Sequence, residues 1–276
     1  MKIISVTGYK KSGKSLLIEK LISELIKRGH VGTIKHIHNT DLNPKGTDTR
    51  RHMDSGADKA IGVTSTGTAV YSSNTTLEHA LDELANAGMD YTVVEGFKDS
   101  HLPRIVMGDL ELPYTVKKLS IGPDGITDAT ITELLNIIEQ QPEYYTLDSL
   151  IVYMKRHPRI NEAGAIGSFT GIVRQKTGEI ETKALEFESY EGMAKQKLQQ
   201  LENDIKERKG IIDIKIYHKT GWVMPGEDIV YIVVAASHRQ QLFLALSDAI
   251  ERIKTEIPIW KKEHTTTGEF WVEGHL

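Results

Sequence analysis

The stretch that decides the fold of the first half of the chain reads Gly8-Tyr9-Lys10-Lys11-Ser12-Gly13-Lys14-Ser15. It matches the pattern G-x-x-x-x-G-K-[ST]. The β-branched apolar run Lys2–Thr7 precedes it, and Leu16–Lys27 follow with apolar residues at helical spacing. Glycines let the backbone N–H groups of such a loop wrap around an anion, and the helix N-terminus adds its positive dipole end. The sequence therefore predicts a strand, a phosphate-binding loop (residues 8–15, named the phosphate loop) and a helix.

The phosphate loop supplies candidate ligands for a nucleotide and its metal ion. The predicted nucleotide-binding residues are Gly8, Lys11, Ser12, Gly13, Lys14 and Ser15. In this pattern Lys14 reaches the β- and γ-phosphates, and the hydroxyl of Ser15 binds Mg²⁺. Glu95, which follows the apolar run Tyr91–Val94, is a further candidate Mg²⁺ ligand, because open α/β sheets bind ligands at their carboxyl edge. Asp48, in the polar segment 47–51, is a comparable candidate. The alternative for Glu95 is an ordinary acidic residue at a strand end.

Two histidines raise the question of a second metal site. The run Val31–Ile37 predicts a strand, and side chains two residues apart share one face of a strand. His36 and His38 therefore have the spacing of two metal ligands. No third ligand is evident, and we favour hydrogen-bonded or solvated histidines.

The composition excludes several classes of protein. The chain has 276 residues, with 34 Lys and Arg against 38 Asp and Glu, and a formal net charge of −4. This mild acidity argues against nucleic-acid binding, which needs a concentrated basic surface. No run approaches the roughly 18 apolar residues of a membrane span, and no secretory signal is evident, so we expect a cytoplasmic protein without a membrane partner. The chain contains no cysteine, so sulfur that it handles must arrive on another molecule.

The order of predicted elements divides the chain into two domains. In the first half, strands alternate with helices, which predicts an α/β fold with a mostly parallel sheet. The strands expected there are residues 2–7, 31–37, 91–94, 104–107 and 114–121, and the helices are residues 16–27, 76–87 and 130–139. The pattern weakens over residues 140–147, where we place the boundary between a phosphate-loop domain, 1–143, and a second domain, 144–276.

The second half predicts a compact α+β domain. Its expected strands are residues 165–174, 185–190, 211–219 and 228–236, and its helices are residues 147–156, 193–209 and 240–254. Basic side chains suited to an anionic ligand are Arg174, His238, Arg239, Lys254, Lys261 and Lys262. Lys254 and Lys261 would share a helix face only if the helix continued through Pro258, which is unfavourable. The spacing leaves open whether the two lysines converge or belong to a solvated helix end.

The first half resembles a known family. The segments that carry the resemblance are Gly8–Ser15, Ile34-Lys35-His36-Ile37-His38, Asp48-Thr49-Arg50-Arg51-His52 with Ser55-Gly56-Ala57, and Val94-Glu95-Gly96-Phe97-Lys98. Over about residues 1–140 they resemble the molybdopterin-guanine dinucleotide biosynthesis protein B (MobB) family of GTP-binding adaptors. The resemblance implies GTP and Mg²⁺ as cofactors, slow hydrolysis, a homodimer and a guanylyltransferase partner. No Asn-Lys-x-Asp guanine motif is present, so the guanine preference is implied by the resemblance alone.

The second half resembles a different family of the same pathway. The segments, in order, are Phe169-Thr170-Gly171-x-Val173-Arg174, Glu188-x-Tyr190-x-Gly192-Met193, His218-x-x-Gly221, Pro225-Gly226-Glu227-Asp228, Ser237-His238-Arg239, Lys254, Pro258-Ile259-Trp260-Lys261-Lys262-Glu263 and Trp271-Val272-Glu273. From about residue 147 to the C-terminus they resemble the catalytic large subunit of molybdopterin synthase, the MoaE family. Its members convert cyclic pyranopterin monophosphate into molybdopterin, with sulfur from a C-terminal Gly-Gly thiocarboxylate on a small ubiquitin-like subunit.

This second resemblance also implies roles for individual residues. Lys254 and Lys261 are implied as catalytic, Lys254 at the thiocarboxylate and Lys261 against developing negative charge. The implied substrate-binding residues are Phe169, Arg174, His238, Arg239 and Lys262, some of them acting across a homodimer. The family usually has arginine two residues after the Glu of Trp-Val-Glu, where this chain has His275, which puts that anion contact in doubt.

Two other hypotheses remain open at this stage. In one, the chain is a GTP-controlled scaffold that binds molybdopterin and the small subunit without transferring sulfur. In the other, it is a phosphate-loop kinase with an accessory domain. Retention of both Lys254 and Lys261 favours the fused synthase.

Overall fold

The structure is a computed structural model and describes residues 1–38, 40–120 and 125–272. Two compact units divide the chain, Met1–Tyr144 and Tyr145–Leu276. The division falls inside residues 140–147, where the sequence pattern weakens. Among the described residues, no helix combines the length and the apolar character needed to cross a membrane.

The first unit is built around a five-stranded parallel sheet. Its elements are β1 (Lys2–Gly8), α1 (Lys14–Leu25), β2 (Val31–Lys35), α2 (Asp48–Asp54), β3 (Lys59–Val63), β4 (Thr68–Ser72), α3 (Leu77–Asn86), β5 (Tyr91–Glu95), β6 (Arg104–Met107), β7 (Thr115–Leu119) and α4 (Asp128–Glu139). The strand order is β2-β5-β1-β6-β7. All four pairings are parallel, as the alternation of strands and helices predicts.

The central strand β1 directs the chain into the phosphate loop. Its side chains alternate between two cores: Ile4 and Val6 pack with α1 and α4, whereas Ile3 packs with α3. Because both faces are covered, β1 is buried from Ile3 to Gly8, as is typical of strands in a parallel sheet. Helices α3 and α4 are capped by Thr76 and Thr127, whose side chains accept hydrogen bonds from N–H groups of the first turn.

Three features of the first unit differ from the sequence prediction. Strand β2 ends at Lys35, so residues 36 and 37 lie outside it. Helix α2 and the antiparallel hairpin β3–β4 were not predicted. The hairpin strands pair only with each other in the described part of the chain and expose apolar side chains such as Ile61 and Val70, so they lack the clear alternation of a half-buried strand.

The second unit has two antiparallel sheets. Its elements are α5 (Leu147–Lys155), β8 (Ala165–Ile172), β9 (Lys176–Thr177), β10 (Ile180–Ser189), α6 (Glu191–Lys206), β11 (Ile211–His218), β12 (Gly221–Val223), β13 (Asp228–Ala236), α7 (Arg239–Glu256), β14 (Ile259–Thr265) and β15 (Glu269–Val272). The first sheet has the order β11-β13-β8. The second has the order β12-β10-β14-β15, with β9 paired to β10.

Strand β13 is the central strand of the sheet β11-β13-β8, and its two faces pack into two hydrophobic cores. Ile232 and Val234 pack with α6 and α7, while Tyr231 and Val233 face the opposite way and pack with α5. Side chains of α7 that meet this core recur every three or four residues, as on one face of a helix: Leu242, Ala245, Leu246, Ala249 and Ile253.

The chain after α7 does not continue as a helix. Helix α7 ends at Glu256, two residues before Pro258, as the proline predicts. Residues 259–265 then form β14, which was not predicted and which lies between β10 and β15. Lys261 therefore belongs to a strand and not to an extension of the helix.

A buried histidine ends strand β11. The ring of His218 is 7% exposed and lies edge-on to Phe187, with 5.1 Å between ring centres. Its Nδ1 donates to the carbonyl oxygen of Lys219 over 2.7 Å, and its Nε2 has no hydrogen-bond partner among the described atoms. Burial lowers the pKa of His218 to about 4, and the Lys219 carbonyl opposes this shift only in part.

We expect His218 to make the second unit less stable in mild acid. Between pH 6.5 and pH 4 the unfolded chain binds a proton at His218 that the folded unit does not bind, so its free energy of unfolding falls as the pH falls. The loss between pH 7.5 and pH 5.0 is about 2 kcal/mol, and His218→Phe should remove it.

Urea unfolding followed by tryptophan fluorescence measures this loss. All three tryptophans, Trp222, Trp260 and Trp271, belong to the second unit, so the signal reports that unit. The exposed His238, replaced by Gln, is the matched control and should keep the parent's pH dependence. If the free energy of unfolding fell equally with decreasing pH in the parent and in His218→Phe, the result would contradict the expectation.

Candidate functional sites

The phosphate loop has the backbone conformation of an anion-binding turn. Lys11 and Gly13 have positive φ values, 64° and 85°, which turn successive N–H groups toward the inside of the loop. A Cβ atom at Gly8 would lie 2.7 Å from the carbonyl oxygen of Met107, so this position accepts only glycine. Helix α1 begins at Lys14, and its free N–H groups therefore face the same loop.

Thr7, Ser12 and Lys14 are three polar residues in the phosphate loop or directly before it. The Nζ of Lys14 donates to the carbonyl oxygens of Gly8 and Tyr9, over 3.2 and 2.5 Å, and so lies across the loop. The hydroxyls of Thr7 and Ser12 are buried without a hydrogen-bond partner among the described atoms. An ammonium group and two unsatisfied hydroxyls beside inward N–H groups fit a phosphate.

The candidate Mg²⁺ ligands are only partly brought together. Ser15 lies in the first turn of α1, and Glu95 ends β5 opposite Val6 of β1, at the same edge of the sheet as the loop. The Glu95 carboxylate is 3.1 Å from the Nζ of Lys35. A hydroxyl and a carboxylate at one edge are ligands suited to Mg²⁺.

Asp48 lies elsewhere in the described structure. It starts helix α2, which packs on β3, and its carboxylate pairs with Arg51 over 3.2 Å. No described hydrogen bond or ion pair joins it to the phosphate loop. Local sequence does not show the position of Asp48, because the hairpin on which α2 packs was not predicted.

The prediction that His36 and His38 share a strand face is wrong, because β2 ends at Lys35. Their rings instead contact each other, 4.1 Å apart, and His36 stacks on Phe97 at 4.4 Å. Among the described residues, no group of three His, Asp or Glu side chains could hold a metal ion. The histidines form an aromatic contact beside the carboxyl edge of the sheet.

The second unit contains a largely apolar cavity of about 240 Å³. Its wall consists of Phe169, Gly171, Ile172, Val173, Arg174, Thr177, Thr182, Leu185, Ile229, Val230, Ile232, Ile250, Ile253, Lys254, Lys261 and Glu263. Lys254 comes from the last turn of α7, Lys261 from β14, and Arg174 from the turn after β8. Three cationic side chains that are distant in sequence thus share one cavity, which answers the question that the spacing of the lysines left open.

The surroundings of Lys261 lower the pKa of its ammonium group. Burial in the apolar wall lowers the pKa of its ammonium group, Glu263 opposes the shift, and nearby Arg174 adds to it. The hydroxyl of Thr182 donates to the Glu263 carboxylate over 2.6 Å and holds it in place. The ammonium group of Lys261 therefore loses its proton at a lower pH than that of an exposed lysine.

Sequence reasoning missed Glu263 and Thr182. Glu263 lies two residues beyond Lys261, so it shares its strand face, but this signal appears only once β14 is known to be a strand. Thr182 lies on β10, which pairs with β14 and places it opposite Thr265. Its role depends on strand pairing across more than eighty residues, which local sequence does not encode.

Three predicted substrate-binding residues do not line the cavity. Lys262 points to the opposite face of β14 and pairs with Glu269 over 2.6 Å. His238 and Arg239 are exposed at the start of α7. Since a helix rises about 1.5 Å per residue, Arg239 lies about 22 Å along the axis from Lys254. His275 lies outside the described residues.

Comparisons with known proteins identify both halves. The family profile described as molybdopterin guanine dinucleotide synthesis protein B (MobB) matches residues 3–118, and that of the MoaE protein matches residues 141–256. The molybdopterin synthase catalytic subunit of Bacillus subtilis is 44% identical over 115 residues, which is 42% of this chain and 73% of that protein. The crystal structure of molybdopterin synthase from Staphylococcus aureus is 41% identical and covers 41% of this chain and 82% of its own, with a TM-score of 0.39.

A full-length relative joins the two halves. A probable molybdopterin synthase of Haloferax volcanii is 32% identical over 275 residues, which is 99% of this chain and 99% of that protein. The two family profiles and this full-length relative confirm both resemblances seen in the sequence. The chain therefore belongs to the molybdopterin synthase family of molybdenum cofactor biosynthesis, with a MobB segment ahead of a MoaE catalytic-subunit segment.

Proposed function

We propose that the second unit converts cyclic pyranopterin monophosphate into molybdopterin with sulfur from a thiocarboxylated small ubiquitin-like subunit. The observation that carries the proposal is the shared cavity of Arg174, Lys254 and Lys261 in an apolar wall. Cations in such a wall stabilise developing negative charge more strongly than they would in water. The chain has no cysteine, so the sulfur must come from the partner.

Each cation has a separate task in this proposal. Lys254 binds the thiocarboxylate of the partner's C-terminus and assists the transfer of its sulfur. Lys261, whose positive charge Glu263 favours against the effect of burial, stabilises the negative charge that develops on the substrate. Arg174 offers a planar pair of donors to the cyclic phosphate, and Phe169 contributes apolar surface for the pterin.

The substrate site is completed by a second copy of the chain in this proposal. His238 and Arg239 are exposed and lie about 22 Å along α7 from Lys254, so they serve the cavity of a partner copy in a homodimer. Lys262 has no part in the cavity, because its side chain is on the other face of β14.

We further propose that the first unit binds GTP with Mg²⁺, hydrolyses it slowly and acts as an adaptor for a guanylyltransferase that forms molybdopterin guanine dinucleotide. The geometry of the phosphate loop supports the nucleotide, and Ser15 with Glu95 fits the metal ion. The guanine base rests on the MobB resemblance. When bound, Mg²⁺ would neutralise phosphate charge, while Lys14 holds the β- and γ-phosphates.

A mixing assay tests the sulfur transfer. The purified chain, the thiocarboxylated small subunit and cyclic pyranopterin monophosphate should together form molybdopterin, measured by its fluorescent oxidation product. Lys254→Ala and Lys261→Ala should each lower the rate by about 100-fold, because each removes a charge that acts on the transition state. Lys195→Ala, an exposed lysine of α6, is the matched control and should keep the parent's rate.

The same assay separates the synthase from the scaffold hypothesis. A scaffold would bind the small subunit without forming molybdopterin, and Lys254→Ala would then behave like the parent. That result would contradict catalysis by the second unit.

The fall in the rate of molybdopterin formation at alkaline pH (the alkaline limb) should depend on Glu263. If Lys261 acts as a cation, the rate falls with rising pH as its ammonium group loses a proton, and Glu263 holds the pKa up. Glu263→Gln should therefore move this limb to lower pH, because the negative charge that raises the pKa of Lys261 is removed. Glu269→Gln, on the other face of the sheet, is the control and should leave the limb in place. An unmoved limb in Glu263→Gln would contradict the cationic role of Lys261.

Nucleotide binding should require Lys14 and depend on Mg²⁺ through Ser15. Titration calorimetry with GTP should show binding to the parent that weakens by about 100-fold in Lys14→Ala, because the ammonium group contacts two phosphates. Ser15→Ala should lose the Mg²⁺ dependence of the affinity. Lys27→Ala, beyond the last turn of α1, should bind like the parent. Equal affinity for ATP would contradict the guanine preference, and turnover stimulated by a small-metabolite acceptor would favour the kinase hypothesis.

A further inference from the structure

All three tryptophans of the chain lie on one solvent-facing side of the sheet β12-β10-β14-β15. In the strand pairing, Trp222 is opposite Glu186, Glu186 is opposite Lys262, and Lys262 is opposite Trp271. Trp260 shares this side, since it lies two residues from Lys262. Trp222, Trp260 and Trp271 are 60%, 46% and 50% exposed. Such a concentration of large aromatic side chains in solvent is typical of a binding surface.

Part of this side forms an open cleft of about 450 Å³ lined by Glu188, Ser189, Tyr190, Trp260 and Trp271 (the aromatic cleft). Tyr190 and Trp260 stand almost perpendicular, at 81°, with their ring centres 5.5 Å apart. The two rings therefore pack edge to face, and both line the cleft. Glu188 lies directly opposite Trp260 in the strand pairing, so a carboxylate stands beside the rings.

The carboxylate of Glu188 differs from its neighbours on the same side of the sheet. Glu186 contacts the ring of His264 at 3.1 Å, and Glu269 contacts both His264, at 3.1 Å, and Lys262, at 2.6 Å. Glu188 is exposed and has no hydrogen bond or ion pair within the described part of the chain. Lys262 interacts with Glu188 at a distance but forms its ion pair with Glu269, so the carboxylate oxygens of Glu188 stay open to a ligand at the aromatic cleft.

This chemistry selects a cation. The faces of Tyr190 and Trp260 carry negative partial charge, and Glu188 adds a full negative charge, so anions are repelled. A guanidinium group suits these walls best, because it is planar, weakly hydrated, stacks on indole rings and bonds a carboxylate through paired donors. We propose that the aromatic cleft binds the guanidinium group of an arginine side chain on a partner protein.

The openness of the site favours a protein as the source of this group. The aromatic cleft lies on the broad side of a sheet with Trp222 exposed nearby, and tryptophan, tyrosine and arginine are the residues that dominate protein interfaces. The proposal is independent of sulfur transfer, since Lys261 and Glu263 lie on the opposite face of β14.

The three indole N–H signals in a ¹⁵N-labelled full-length chain test the proposal residue by residue. The signals are assigned with Trp222→Phe, Trp260→Phe and Trp271→Phe. Methylguanidinium chloride, added at constant ionic strength, should shift the signals of Trp260 and Trp271 to saturation, with half-saturation on the order of 10 mM. The signal of Trp222, on the same side but outside the aromatic cleft, should not move with them.

Two controls isolate the charge. N-methylurea, which has the same shape without the charge, should give no saturating shift. Glu188→Gln should weaken the binding of methylguanidinium by about fivefold, while the matched Glu186→Gln should leave it unchanged. The far-ultraviolet circular dichroism spectrum at the highest concentration checks that the chain stays folded.

Three results would overturn the proposal. One is a linear, unsaturable shift of all three indole signals, and another is equal affinity in the parent and Glu188→Gln. The third is binding of methylguanidinium without binding of N-acetylarginine amide, which would exclude an arginine side chain as the occupant.

Discussion

The alternation of side chains along β14 is the constraint on which the second unit depends. Within seven residues the strand sends Lys261 and Glu263 to one face and Trp260, Lys262 and His264 to the other. The first face completes an apolar cavity, and the second carries the exposed Trp260. A shift of one residue in the pairing with β10 would exchange the two sets, placing Lys262 in the cavity. Seven paired positions with β10 and four with β15 hold the register.

The cavity balances two opposing demands. A site that stabilises developing negative charge needs cations in a medium of low dielectric constant, but burial of an ammonium group is costly without a partner. The structure meets both demands by placing Glu263 beside Lys261 and fixing that carboxylate with the hydroxyl of Thr182. Lys254 and Arg174 then share the cavity from separate elements. The charges are thus arranged by the fold before a ligand binds, which is what electrostatic catalysis requires.

The first unit uses a different solution for anions. Its phosphate loop relies on backbone N–H groups, which need no desolvation of a full charge and are held by the buried strand β1 on one side and helix α1 on the other. The steric demand falls on Gly8, where any side chain would meet Met107. Lys14 adds an ammonium charge that lies across the loop. In the first unit the backbone positions the groups that would bind the anion, whereas in the second unit neighbouring side chains position the cations.

The sequence alone determined the features that depend on neighbours along the chain. The phosphate loop, the parallel first sheet, the end of α7 before Pro258 and the lack of cysteine all follow from local pattern and composition. Tertiary structure decided four other features. It brings Lys254 and Lys261 to one cavity, keeps Lys262 out of that cavity, places Thr182 in hydrogen-bond contact with Glu263, and puts the three tryptophans on one side of a sheet. These features depend on which strands pair and in which register. Packing between residues far apart in sequence sets the pairing, and local periodicity carries no information about it.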